Sequence, residues 1–187
     1  MNNNHWVAMA LETESCGLFD KEPVLYTGLG KVNAAHRLTR LICEKRPSLI
    51  INLGSAGSSH FKTGTLVNCA QFIQRDMDVS PLGFEKWFTP FDNEPVILEY
   101  GERLTGFESG ICGTGDSFDV SGKKDVYTIV DMEAYAIAKV CKAESIPFIC
   151  VKYVTDGADG NSTTDWEKNL RTGAERLFDA YQAVLRG

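Results

Sequence analysis

Carboxylates, a serine and glycine-rich turns gather where apolar runs end in this sequence. Glu12 and Glu14 follow HWVAMAL, residues 5–11. Gly28 to Gly30 follows EPVLYT, Gly54 to Gly57 follows Leu49–Leu53, and Thr155 to Asp159 follows Pro147–Val154. Glu133 adds a carboxylate at the start of a helical pattern. Glycine-rich turns after strands commonly hold phosphate, so phosphate binding is the first chemistry to test. TGLGK fails as a nucleotide P-loop, because its glycines are too close together and Lys31 precedes Val32 rather than Ser or Thr. It fails as a dinucleotide fingerprint too, since Asn33 stands where a third glycine is needed. Gly28 and Gly30 then serve either a tight strand-to-helix turn or the lining of a substrate site. GSAG (54–57) has no lysine or arginine beside it, yet Ser55 can offer a hydroxyl next to backbone N–H groups. CGTGDSFD (112–119) is a further glycine-rich turn and carries Phe118.

The elements that must position these residues alternate between strand and helix. Residues 5–11 and 22–30 read as strands, and 31–47 as a helix, with Val32, Ala35, Leu38, Leu41 and Ile42 at helical spacing and Pro47 as its stop. Leu49–Leu53 is apolar on both faces, as a central parallel strand is. Further strands are expected over 65–73, 126–130 and 147–154. Helices are expected over 132–144, capped by Asp131, and over 166–186. Prolines and glycines break residues 80–110 into loops and short strands. The pattern predicts an α/β fold: one domain over 1–187, with a mixed twisted sheet flanked by helices. Such sheets place their sites at the carboxyl ends of strands.

Composition narrows the function. The chain has 187 residues and a net charge of −6, with no basic run, which argues against a nucleic-acid partner. No apolar stretch approaches the roughly 20 residues of a membrane span, and the N-terminus lacks the pattern of a signal peptide. A cytoplasmic protein is expected. The six cysteines form no CxxC pair and the three histidines are scattered. Free buried thiols are expected, with no metal site and no cofactor.

Taken together, AMALETE, TGLGKVNAA, INLGSAGS, GTGDSF, DMEAYAIAKVC and VKYVTDGAD, in this order, resemble the purine nucleoside phosphorylase/nucleosidase superfamily. The resemblance is strongest to the 5′-methylthioadenosine/S-adenosylhomocysteine nucleosidases. It implies hydrolysis of the N-glycosidic bond of an adenine nucleoside through an oxocarbenium-like transition state. By this resemblance Asp156 is the acid that meets purine N7, and Glu12 the carboxylate that activates water, with Glu14 the competing candidate. Glu133 binds the ribose hydroxyls, Met132 packs on the sugar, Ser55 lies beside the water and Phe118 stacks on adenine. Thr155 supports the acid, while Leu29 and Lys152 join the substrate-binding set. DMDVSPLGF loosely matches the segment that in the family reaches across a dimer to cover the 5′ group, which makes Leu82 and Phe84 candidates for that wall, and Trp166 is a candidate for a lid. The partner is a small-molecule adenine nucleoside, and the family's assembly implies a homodimer.

Departures from the family pattern are specific. Lys152 stands where the nucleosidases usually carry arginine, losing a planar fork of donors. The chain is a shortened version of the fold, tight between Glu12 and Gly28 and between Asp78 and Gly113. A phosphate-dependent phosphorylase is the nearest alternative. The family's phosphorylases place an arginine where this chain has Asn52, so water is favoured over phosphate as the nucleophile. A hydrolase for another purine 5′-derivative and a non-catalytic nucleoside-binding protein are the other readings.

Overall fold

The most apolar runs form the innermost strands. The computed structural model describes residues 4–119, 121, 125–159 and 162–186. Strands β1 (His5–Met9), β2 (Val24–Tyr26), β3 (Leu49–Gly57) and β4 (Leu66–Gln74) are followed by β5 (Leu98–Glu99), β6 (Glu108–Thr114), β7 (Ile129–Asp131) and β8 (Phe148–Asp156). Three α-helices accompany them: α1 (Lys31–Lys45), α2 (Ala134–Ala143) and α3 (Ser162–Arg186). Short 3₁₀ turns lie at Glu12–Glu14 and Ser80–Leu82.

The sheet is mixed and folds back on itself. β1 runs parallel between β2 and β3, β3 runs parallel to β8, and β8 runs antiparallel to β4. β4 and β6 are parallel, as are β6 and β7. β7 then returns to β3 through the pair Gly57 and Val130, closing a ring of five strands. β5 adds a short antiparallel edge on β4. Helices α1 and α2 cover one side, where Leu38, Ile42, Ile137 and Phe148 share a core. Helix α3 covers the other, with Leu177 and Tyr181 packed on Val7, Ile51 and Val151. Gly173 sits within α3 because a Cβ there would come 3.0 Å from the Tyr153 ring, so the helix can approach β8 closely.

Several strands differ from the sequence expectation: β2 is only Val24–Tyr26 of the expected 22–30, and β7 is Ile129–Asp131 where 126–130 was expected. Leu49–Leu53 was expected to end at a glycine turn, but β3 continues through Gly57 because β8 pairs along its whole length. CGTGDSFD (112–119) was expected to be a turn, but its first three residues, 112–114, end strand β6, and the turn is confined to 115–119. The glycines of β6 are there for space: a Cβ at Gly113 would lie 2.5 Å from Tyr127, and one at Gly110 would lie 2.7 Å from Val67. Residues 80–110 are short elements and loops, as their prolines and glycines imply. Of the six cysteines, Cys69, Cys112, Cys141 and Cys150 are buried, whereas Cys16 and Cys43 are exposed; none forms a disulfide.

Candidate active site

The carboxyl ends of β1, β3, β7 and β8 converge on one cavity of about 400 Å³. The β3–β8 register sets its floor, with Gly54 opposite Lys152, Ser55 opposite Tyr153, and Gly57 opposite Asp156. Of the expected site residues, Leu29, Ser55, Phe118, Met132, Glu133, Lys152, Thr155 and Asp156 all line it. Trp166 does so as well. Leu82 and Phe84 do not: Leu82 is exposed, and Phe84 packs with Phe88 and Phe91 outside the cavity.

Glu12 is the main correction. It is exposed and does not line the cavity; Glu14, two residues on, is buried and does. The cause is local. Residues 12–14 form a 3₁₀ turn, which rotates about 120° per residue, so side chains two apart point to different sides. Glu14 turns inward, where its Oε2 accepts the Leu11 N–H (3.1 Å). Its Oε1 accepts both the Ser55 N–H (2.9 Å) and the Ser55 hydroxyl (2.6 Å). Three donors therefore fix the plane of the carboxylate.

Of the two GSAG glycines, Gly57 makes room for a carboxylate, while Gly54 lies in contact with one. A Cβ at Gly54 would lie 3.4 Å from Glu14 Oε1 and 3.5 Å from Lys152 Nζ. A Cβ at Gly57 would lie 2.8 Å from Asp156 Oδ1, which no side chain can do without displacement. Asp156 is buried at the end of β8, and its Oδ1 accepts the Ala158 N–H (2.9 Å). The Thr155 hydroxyl, 2.8 Å from Asp156 Oδ2, also has the Ala56 carbonyl at 3.3 Å.

The glycine turn before α1 serves a third carboxylate. Gly28 and Gly30 have φ of 75° and 89°, and Gly30 N–H donates to Glu133 Oε1 (2.8 Å). The next N–H, of Lys31, donates to Asp116 Oδ1 (2.7 Å). Burial pushes the Glu133 carboxyl up to about 8, with the Asp131 charge adding to the effect. Leu29 and Phe118 stand half-exposed at the rim.

Lys152 is fully enclosed, and its Nζ pairs with Asp131 Oδ2 at 2.9 Å. Burial works against the ammonium, but the Asp131 charge outweighs it and holds the lysine well above its usual range. Burial likewise works against the Asp131 carboxylate, and Lys152 outweighs it and holds Asp131 below the ordinary aspartate range. Asp131 also accepts the Thr114 hydroxyl (2.6 Å) and the Ala134 N–H (2.9 Å); it was expected to cap a helix from 132, but α2 begins at Ala134 with Glu133 at its N-cap, and Asp131 holds the first helical N–H from the end of β7. The sequence offers no local signal for this pair, because Asp131 and Lys152 lie on different strands. Arg75, at the end of β4, also lines the cavity without having drawn notice; it donates to Ser117 Oγ (3.2 Å) in the loop that carries Phe118. No spacing marks it, because β4 and that loop meet only through the β4–β6 pairing.

Comparison with known proteins accords with this geometry. A model of the phosphorylase superfamily matches residues 15–186. The 5′-methylthioadenosine/S-adenosylhomocysteine nucleosidase of Haemophilus influenzae is 32% identical over 173 residues, spanning 82% of this chain and 76% of that protein. A futalosine hydrolase mutant from Helicobacter pylori superposes with a TM-score of 0.88 at 18% identity, over 97% of this chain and 98% of that one. The Helicobacter pylori 5′-methylthioadenosine/S-adenosylhomocysteine nucleosidase, solved with butyl-thio-DADMe-Immucillin-A, gives the same TM-score and identity over 97% of each chain. These two likenesses show the fold, and the sequence matches carry the kinship. The chain belongs to the phosphorylase superfamily and, within it, to the 5′-methylthioadenosine/S-adenosylhomocysteine nucleosidases.

Proposed function

We propose that this chain hydrolyses the N-glycosidic bond of 5′-methylthioadenosine and S-adenosylhomocysteine-type nucleosides, releasing adenine and a thio-substituted ribose. The observation that carries this reading is Glu14. Its carboxylate occupies the N–H and hydroxyl of Ser55, the donors a phosphate would need at the β3 glycines. Among the described residues, five acidic side chains (Glu14, Asp119, Asp131, Glu133 and Asp156) and two cationic ones (Arg75 and Lys152) line the cavity. Lys152 is already paired with Asp131, so a phosphate dianion would meet net negative charge.

Each residue then has a task. Glu14 takes a proton from the attacking water at the acceptor position its hydrogen bonds leave open, on Oε2. Asp156 delivers a proton to purine N7 as the bond breaks, so that adenine leaves neutral. The Thr155 hydroxyl can donate to an ionised Asp156, or turn to Ala56 O and accept from a protonated one. Glu133 receives the ribose hydroxyls, Met132 packs beneath the sugar, and Phe118 stacks on the base. Leu29 lines the rim. Lys152 shapes the water site by its charge. A second copy of the chain would cover the apolar rim at Leu29 and Phe118, giving a homodimer. The free thiols suit the cytoplasm.

The decisive assay is adenine release from 5′-methylthioadenosine in buffer free of phosphate. Turnover there, with thio-ribose as co-product, is the expected result. A requirement for phosphate, with a sugar 1-phosphate as product, would overturn the hydrolase reading.

A further inference from the structure

We infer that Trp166 is a positioning residue for Glu14, acting through the Ser55 hydroxyl; this rests on the hydrolase reading above. Trp166 lines the cavity from the first turns of α3, and its Nε1–H donates to Ser55 Oγ at 2.9 Å. An indole N–H only donates, and a serine hydroxyl has a single proton. With the indole on one Ser55 lone pair, the proton of Ser55 is directed to the nearest acceptor, Glu14 Oε1 at 2.6 Å. The chain Trp166 → Ser55 → Glu14 therefore has one direction. Such aligned hydrogen bonds strengthen each other in a site screened from water.

The consequence falls on the water site. Oε1 of Glu14 is filled by the Ser55 N–H and hydroxyl, and Oε2 accepts Leu11 N–H. A carboxylate has about four acceptor positions, so one remains, on Oε2. Trp166 keeps Ser55 from rotating away and thereby keeps that remaining position fixed. The approach of the indole is built into α3. One turn further on, Asn169 Nδ2 donates to the Thr155 carbonyl (3.0 Å), which anchors the helix to the strand that bears Asp156. A phenylalanine at 166 would supply the same apolar wall without the donor.

The test is a double-mutant cycle of Trp166→Phe and Ser55→Ala, reading kcat and KM for adenine release from 5′-methylthioadenosine. Trp166→Phe should lower kcat about tenfold, the scale of one lost hydrogen bond to a fixed carboxylate network, and leave KM within about threefold. In the Ser55→Ala background the same change should alter kcat by less than about twofold, because the relay is already broken. Equal losses in both backgrounds, or a change in KM alone, would show that the ring is only a wall. Nuclear magnetic resonance of the three tryptophan indole N–H groups provides a readout that needs no turnover. One resonance, absent in Trp166→Phe, should move upfield in Ser55→Ala; if it does not move, the relay is refuted. No adenine release by the unmodified chain would count against the hydrolase reading, while the resonance shift would still decide the hydrogen bond.

Discussion

Replacing Glu14 or Glu12 by glutamine separates two carboxylates that sequence alone leaves as rivals. Glu14 is buried and accepts three hydrogen bonds, whereas Glu12 is exposed on the far side of the same 3₁₀ turn. Loss of a general base typically costs about 10²–10⁴ in rate, or roughly 3 to 5 kcal/mol of transition-state stabilisation. Glu14→Gln should therefore lower kcat at least about a hundredfold. Its carboxamide oxygen can still accept from Ser55, but the amide N–H₂ then faces the Leu11 N–H, two donors opposed. That mismatch costs about 1–3 kcal/mol of stability, so the variant should melt a few degrees lower but remain folded at 25 °C. Glu12→Gln removes only a solvated charge and should stay within about 0.5 kcal/mol, or twofold in rate. The assay is adenine release from 5′-methylthioadenosine, with circular dichroism to confirm folding. Near-normal turnover by folded Glu14→Gln, or a large loss in Glu12→Gln, would refute the assignment.

Two other perturbations follow from the buried charges. Lys152→Met leaves Asp131 enclosed without its cation and should destabilise the fold by about 3–5 kcal/mol, measured by urea unfolding; a loss under about 1 kcal/mol would contradict the buried pair. The Glu133 carboxyl, pushed up to about 8, holds its proton at neutral pH in the free chain. Its folded value exceeds the ordinary 4.5, so the native state binds the extra proton and stability falls as pH rises from about 4.5 to about 8. Ribose hydroxyls donating to the ionised form would expel that proton. Affinity of the Glu14→Gln variant for 5′-methylthioadenosine should then rise with pH, by up to about tenfold per unit below 8, and level off above it. Calorimetric titration at several pH values, showing a flat or falling affinity between pH 6 and 8, would remove Glu133 from ribose binding.

Periodicity and apolar runs made β8 and α1 readable to within a few residues, because each buries a continuous face against a neighbour. What escaped was governed by contacts distant in sequence. The end of β6 reads as part of a turn because the glycines of CGTGDSFD usually mark one; here Gly113 marks a place where Tyr127 presses on a strand. β3 reads as ending at Leu53 because nothing local says that β8 will pair as far as Asp156. Eight of the nine expected site residues reach the cavity, since strand ends and the order of motifs place them. Glu12 does not. The choice between it and Glu14 depends on the hand of one short turn, and residue type is blind to that. Lys152 stands out in the sequence where the family carries arginine, but its partner Asp131 lies on another strand, and nothing local joins the two.

The same distinction explains why the glycine loops resemble phosphate cradles without being suited to that use. The geometry that attracts an anion is present: glycines at Gly28 and Gly30 opening α1, and backbone without side chains at Gly54 and Gly57 on β3. Each offered donor is already committed to a carboxylate of the chain itself. Gly30 N–H serves Glu133, Lys31 N–H serves Asp116, and Ser55 N–H serves Glu14. An incoming phosphate would have to displace three internal carboxyl groups, with the charges of Glu14 and Asp116 among them, whereas a neutral water needs only one acceptor and a gap. Asn52 fits the same account: its amide donates to the Ala8 carbonyl (2.9 Å) and its oxygen accepts from the Cys150 thiol, inside the strand layer rather than toward the cavity. The fold's anion-binding backbone has been turned inward to hold the carboxylates that hydrolysis requires, and the nucleophile follows from that occupancy.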